Sequence, residues 1–61
     1  MTDQRILVVD DEKLIREMIS DYLGKQYSVT TAENAEKALA MPDLGKFSLI
    51  ISDINIITFH I

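Results

Sequence analysis

Near the start of the chain, residues 6–12 are Ile-Leu-Val-Val-Asp-Asp-Glu, a short aliphatic run that stops at three acids. An uninterrupted apolar run of this length is typical of a strand that is buried on both faces, as in a parallel sheet. The pattern recurs at residues 49–53, which are Leu-Ile-Ile-Ser-Asp. The two stretches therefore predict two buried strands, each followed by an aspartate at its carboxyl end.

The segment that follows the first acids predicts a long helix. From residue 13 to residue 23 apolar side chains recur at helical spacing and fill one face. Gly24 follows at a position where a left-handed residue commonly ends a helix. Met18 and Tyr22 on this helix, and Phe47 further along the chain, fall on apolar faces, so we expect all three in the core.

A second strand and a second helix are predicted between the two buried strands. Polar and apolar residues alternate over residues 27–31, which indicates a half-exposed edge strand that ends near Ala32. Asn34 can cap a short helix that Pro42 ends. The order strand, helix, strand, helix, strand predicts an α/β fold with right-handed crossovers and a parallel sheet. The first strand is the most apolar, so we place it centrally, in sheet order 2-1-3.

This order brings acidic residues together. Asp10, Asp11 and Asp53 all follow strand ends at one edge of the sheet, beside the point where the strand order reverses. Clustered carboxylates repel one another unless a cation lies between them, and Mg²⁺ prefers oxygen ligands of this kind. The pattern favours Mg²⁺-assisted phosphoryl chemistry. The alternative is that Asp10 and Asp11 only cap the first helix and that Asp53 is a solvated strand end.

Composition narrows the function classes further. The chain has 61 residues, ten acids, six basic residues, a net charge of -4 and no cysteine. The negative charge disfavours binding to nucleic acid or anionic membranes, and the missing thiols exclude cysteine chemistry. No apolar run approaches the length of a membrane helix, and residues 1–5 do not resemble a secretory signal. We therefore expect a cytoplasmic protein.

Three stretches together resemble the receiver domain of bacterial two-component response regulators. They are residues 6–12, residues 31–39 (Thr-Ala-Glu-Asn-Ala-Glu-Lys-Ala-Leu) and residues 49–55 (Leu-Ile-Ile-Ser-Asp-Ile-Asn), in this order and spacing. The resemblance covers roughly residues 4–55. It implies a partial flavodoxin-like βαβαβ unit with parallel sheet order 2-1-3, truncated before the fourth strand of the family.

The resemblance also implies a role for individual residues. Asp53 would accept a phosphoryl group from a sensor histidine kinase, in a domain that is a phosphoacceptor in phosphorelay signalling rather than an enzyme. Asp11 would bind Mg²⁺ directly, Asp10 through water, and Asn55 through its backbone carbonyl; Asp53 would complete the metal site.

The end of the chain departs from the family pattern. Residues 56–61, Ile-Ile-Thr-Phe-His-Ile, do not match, so we divide the chain into a partial receiver, 1–55, and an apolar tail, 56–61. Truncation would remove a hydroxyl residue and a lysine of the family's site and impair phosphorylation. One alternative is an unphosphorylated structural fragment that self-associates through an exposed edge, at strand three or the tail. A weaker alternative is a haloacid dehalogenase-like phosphatase fragment, in which Asn55 replaces the second aspartate.

Overall fold

The computed structural model describes residues 4–52 and 55–58, the last four by their backbone. Its elements are β1 (Arg5–Val9), α1 (Lys13–Leu23), β2 (Ser28–Ala32), α2 (Ala35–Leu39), a 3-10 helix (Leu44–Lys46), β3 (Leu49–Ser52) and β4 (Asn55–Thr58). The strand and helix order predicted from the sequence is confirmed up to β3, with bounds that differ by one or two residues.

The sheet has the order β2-β1-β3-β4, and β1 is parallel to both of its neighbours. Leu7 lies opposite Thr30 on one side and Ile50 on the other. The central position of β1 agrees with its composition, because residues 6–9 are all aliphatic and a central strand buries both of its faces. All four of these residues are buried. The predicted order 2-1-3 of the parallel strands is confirmed.

The fourth strand is antiparallel to β3, with Ile56 opposite Ile51 and Asn55 opposite Ser52. Only residues 53 and 54 separate the two strands, and a connection this short joins antiparallel strands, whereas a parallel crossover needs about a dozen residues. Because β3 is paired with β1 and β4, its own edge is not exposed. The expected free edge at strand three is wrong, and β4 is the outer strand on this side of the described sheet.

One face of the sheet carries a closed apolar core beneath α2. Leu7, Val9 and Ile50 alternate with residues of the other face, as strand geometry requires, and they pack with Ala38 and Phe47 in one buried cluster. Phe47 is only 2% exposed and Leu7 is fully buried. The prediction that Phe47 lies in the core is confirmed.

On the opposite face, beneath α1, Ile6 and Val8 of β1 are buried, but the helix that covers them is not. No residue of α1 is buried, although the helix has eleven residues. The apolar stripe predicted to lie in the core divides in two: Ile15 and Ile19 are half-buried, whereas Met18 is 59% and Tyr22 75% exposed. The core prediction for Met18 and Tyr22 is therefore wrong. A single helix on a sheet covers only its inward stripe, and within residues 4–52 no second helix lies beside α1 to cover the rest.

The ends of the helices are determined by local contacts. Asn34 Oδ1 accepts a hydrogen bond from the Lys37 N–H at 2.8 Å, which confirms the predicted cap of α2. Gly24 ends α1 with φ -63°, so the predicted left-handed conformation is wrong. Position 24 favours glycine for a different reason, because a Cβ there would lie 2.7 Å from the Ser20 carbonyl oxygen.

None of the helices in the described part of the chain has the length and apolar character needed to cross a membrane.

Candidate functional site

The candidate site lies where β1 and β3 end, at the carboxyl edge of the sheet. Val9 and Ser52 are the last residues of these strands and lie opposite each other. The chain continues from Val9 into three consecutive acids, Asp10, Asp11 and Glu12, which we call the acidic turn. Parallel pairing therefore places the acidic turn beside the end of β3, as the sequence predicts.

Asp10 is half-buried and its backbone is held by both neighbouring elements. Its N–H donates to the Ala32 carbonyl oxygen of β2 at 3.1 Å. Its own carbonyl oxygen accepts from Arg16 Nη1 of α1 at 2.7 Å. The carboxylate atom Oδ1 accepts the Glu12 N–H at 2.9 Å, just before α1 begins. The alternative that Asp10 and Asp11 cap α1 is wrong: the N-cap is Glu12, its side chain makes no capping hydrogen bond, and Asp10 bonds the N–H of that N-cap residue.

The remaining carboxylate oxygens of the turn suit a hard cation. Within the described residues, no hydrogen bond or ion pair engages Asp10 Oδ2 or the exposed side chain of Asp11. Such anionic oxygens, on adjacent residues at one sheet edge, are the donors that Mg²⁺ selects, and Mg²⁺ takes as few as one or two carboxylates. Residues 4–52 contain no group of three acidic or histidine side chains that could hold a metal ion.

Two residues of the predicted site lie wholly or partly outside what can be described. Asp53, the predicted phosphoacceptor, lies outside the described residues, so it contributes nothing to the geometry given above. Asn55 is described by its backbone, which begins β4 opposite Ser52. Its backbone is therefore at the carboxyl end of β3, the edge where a carbonyl ligand is predicted.

A further acid, Glu33, follows β2 at the same edge but has a partner. Lys37, one helical turn later, donates a hydrogen bond to Glu33 Oε1. This hydrogen bond, reinforced by the lysine charge, lowers the pKa of Glu33 below its usual 4.5. Glu33 is therefore already paired, which distinguishes it from Asp11, whose carboxylate has no partner among the described residues.

Arg16 is the residue of the site that sequence reasoning missed. The helical pattern assigns it to the solvated face of α1, yet it is half-buried and bonds the Asp10 carbonyl oxygen. A signal was available in the sequence. A cation near the amino end of a helix opposes the helix dipole, so its presence there calls for another explanation.

The parallel 2-1-3 sheet, with acidic residues at its carboxyl edge beside the topological switch point, defines an α/β protein of the doubly wound type. The model of the family described as the response regulator receiver domain matches residues 6–59. The chain belongs to this family. Receiver domains of two-component response regulators serve phosphorelay signalling and are generally non-enzymatic signalling domains.

The chain is also similar in sequence to curated proteins from two bacteria. The chain is 41% identical over 54 residues to a protein-glutamate methylesterase/protein-glutamine glutaminase of Bacillus subtilis, covering 84% of this chain and 15% of that protein. It is 38% identical over 53 residues to the transcriptional regulatory protein ResD of the same organism, covering 85% and 22%. The transcriptional regulatory protein AruR of Pseudomonas aeruginosa is 54% identical over 37 residues, covering 59% and 15%.

The chain thus spans less than a quarter of the length of these relatives. No solved structure matches it significantly. The division at residue 55 stays a prediction.

Proposed function

We propose that this chain is a phosphoacceptor module that takes a phosphoryl group from a sensor histidine kinase onto Asp53, with Mg²⁺ bound by the acidic turn. One observation carries the proposal: the parallel pairing of Val9 with Ser52 brings the acidic turn beside the residue that precedes Asp53. Asp10 and Asp11, the first two acids of the turn, have carboxylate oxygens that no described residue engages and that are available for a cation. The family supplies the class of reaction.

In the proposed step, a carboxylate oxygen of Asp53 attacks the phosphorus of a phosphohistidine in line with the bond that breaks. A new O–P bond forms, the N–P bond breaks, and the histidine nitrogen leaves with the electron pair and takes up a proton. Asp53 must be ionised to act as the nucleophile. Little covalent help is needed from other residues, because catalysis of phosphoryl transfer is mostly positioning and charge stabilisation.

The other site residues are assigned supporting roles. Asp11 would bind the cation directly, Asp10 through water using Oδ2, Asn55 through its backbone carbonyl, and Asp53 would complete the site. When bound, Mg²⁺ would supply positive charge that offsets the charge of the acids and of the transferred phosphoryl group. The contact between Glu12 N–H and Asp10 Oδ1 holds the carboxylate of Asp10 in one orientation.

Intact-mass measurement after incubation with acetyl phosphate and Mg²⁺ tests the proposal. We expect the wild type to gain the mass of one phosphoryl group and Asp53→Asn to gain none. Asp21→Asn is the matched control, because Asp21 is an exposed aspartate on α1 away from the acidic edge. Asp11→Asn should reduce the yield by weakening the cation site.

The outcome that contradicts the proposal is an adduct that persists in Asp53→Asn or that forms equally without Mg²⁺. Absence of any adduct in the wild type, with the chain folded, supports the alternative of a structural fragment without phosphoryl chemistry. Nothing among the described residues favours the dehalogenase-like alternative.

The proposed location is the cytoplasm, because a cysteine-free composition fits a reducing compartment.

Self-association is a second candidate, and the position of β4 favours it. This strand is the outer one of the described sheet, and two of its four residues, Ile56 and Ile57, are apolar. An unpaired apolar edge is a template for another strand. Sedimentation over a range of concentrations should show a dimer or larger species, and Ile56→Lys should shift it toward monomer. A monomer at all concentrations would falsify this second candidate.

A further inference from the structure

Arg16 is placed to control the geometry of the acidic turn. Its backbone N–H donates to the Glu12 carbonyl oxygen at 3.1 Å, in the first hydrogen-bonded turn of α1. From there its side chain reaches back toward the amino end of the helix, the direction that helical side chains favour. The guanidinium group ends 2.7 Å from the Asp10 carbonyl oxygen. One residue thus contacts both ends of the acidic turn.

The carbonyl that Arg16 holds belongs to the peptide unit between Asp10 and Asp11. The preceding peptide unit is held independently, because the Asp10 N–H donates to Ala32. With both peptide units fixed, the backbone dihedral angles at Asp10 are constrained. The next peptide unit is held by the Glu12 N–H, which donates to Asp10 Oδ1, so the direction in which the Asp11 side chain leaves the chain is constrained as well. Asp11 itself contributes no restraint, since its exposed side chain has no partner among the described residues.

Helix stability does not explain this arrangement. A cation in the first turns of a helix is opposed by the helix dipole, and a half-buried guanidinium has lost freedom that an exposed one keeps. Arg5 provides a contrast at the other end of β1. It pairs with Asp43 and lies over the Phe47 ring, 4.8 Å from Cζ to the ring centroid, contacts that serve the core. Arg16 instead contacts the backbone of the acidic turn.

We propose that Arg16 is a positioning residue, which presets the Asp10–Asp11 peptide so that the carboxylate of Asp11 is aimed at the cation. The inference rests on the proposed function, in which Asp10 and Asp11 hold Mg²⁺. It adds a residue that binds neither cation nor phosphoryl group and acts through the backbone of those that do.

The test measures Mg²⁺ affinity and global stability separately on the full chain. Mg²⁺ is titrated into ¹⁵N-labelled protein and the amide shifts of the acidic turn give Kd, while urea unfolding gives stability. Arg16→Met keeps the apolar stem and removes the donors, and Arg5→Met is the matched control. Arg16→Met should weaken Mg²⁺ binding about tenfold, the lower end of what loss of a supporting contact costs a metal site. Arg16→Lys, which still donates, should restore part of the affinity.

The control separates positioning from simple stabilisation. Arg5→Met should lower stability and leave the Mg²⁺ Kd unchanged. Wild-type affinity in Arg16→Met, or affinity that follows stability in both arginine variants, overturns the inference and leaves the proposed function standing. If Arg16→Met does not fold, Arg16→Lys against Arg5→Lys gives the same comparison. A wild type that binds no Mg²⁺, or Asp11→Asn that binds it normally, overturns both proposals.

Discussion

The two faces of the sheet differ in a way that helix length alone does not predict. On the face under α2, a helix of only five residues contributes Ala38 to a buried cluster with Phe47, Leu7 and Ile50, although its Leu39 is 72% exposed. On the face under α1, Ile6 and Val8 of β1 are buried, yet none of the eleven residues of the helix is. Its outer apolar side chains are largely exposed, Leu14 at 77% and Tyr22 at 75%.

Burial of a helix thus depends on which elements surround it as well as on its own apolar pattern. Beneath α2, the connection that follows the helix folds back over the sheet and supplies Phe47, while Arg5 and Asp43 pair at its margin. Beneath α1, only the inward stripe has a partner. We expect stability to reside mostly on the α2 face, and the following substitutions can refute or refine that expectation.

The largest effect should come from truncating one aromatic residue on each face. Phe47→Ala removes a buried ring and should lower the free energy of unfolding by about 3–5 kcal/mol. This loss is comparable to the whole stability of a small domain, so most molecules of the variant should be unfolded. Tyr22→Ala removes an exposed ring and should change stability by less than about 0.5 kcal/mol. Urea unfolding followed by circular dichroism measures both. Equal losses would show that α1 contributes to the core as much as the α2 face does.

A smaller effect is expected from the helix caps. Asn34→Ala removes the side chain that accepts the Lys37 N–H and should cost about 1 kcal/mol. Glu12→Ala is the control at the start of α1, where the side chain makes no capping hydrogen bond. Its unfolding free energy should stay within about 0.5 kcal/mol of wild type. A larger loss at Glu12 than at Asn34 would reverse the assignment of stability to the α2 face.

Acid should weaken the margin of the α2 face selectively. The hydrogen bond from Arg5 lowers the pKa of Asp43 below its ordinary value of 3.8. A carboxyl group with a lowered pKa stabilises the fold at pH values above its unfolded pKa, and this contribution is lost as pH falls through the lowered value. Stability relative to Asp43→Asn should therefore be constant above pH 5 and shrink below about pH 4. A difference that grows with acid would contradict the ion pair.

The smallest effect is expected at Met18. Met18→Gln replaces an exposed apolar side chain on α1. The free energy of unfolding of this variant should remain within about 0.5 kcal/mol of wild type. Thermal unfolding at matched concentration checks this expectation. A marked loss would indicate that Met18 is covered in solution.

Much of the fold was predictable because each element carries its own local signal. The aliphatic run of β1, the helical repeat of α1 and the cap at Asn34 all correspond to observed elements. Exposure of Met18 and Tyr22 was not predictable, since a helical pattern marks an apolar stripe without saying how much of it has a partner. The position of residues 55–58 was not predictable, since it depends on pairing with β3, a tertiary contact that no local sequence pattern marks.

The sequence predicts the edge of the sheet at which the candidate site lies, but only some of the contacts within the site. Parallel topology brings the residues after Val9 and Ser52 to one edge, and the acids in the sequence mark that edge. The hydrogen bond from Arg16 to Asp10 was missed, because its acceptor is a backbone carbonyl, a group that every residue carries; only the unfavourable position of a cation near the amino end of a helix hinted at it.

The pairing of β4 with β3 has a consequence for how the chain folds. Strand β3 must find β1 across about 40 residues of intervening chain, and the loop-closure entropy makes that encounter slow. Its partner β4 is separated from it by only residues 53 and 54, and hairpins form within about 1–10 μs. A transient hairpin can therefore cover one backbone edge of β3 before β1 pairs with the other edge, so β4 would keep that edge from pairing with other chains during folding.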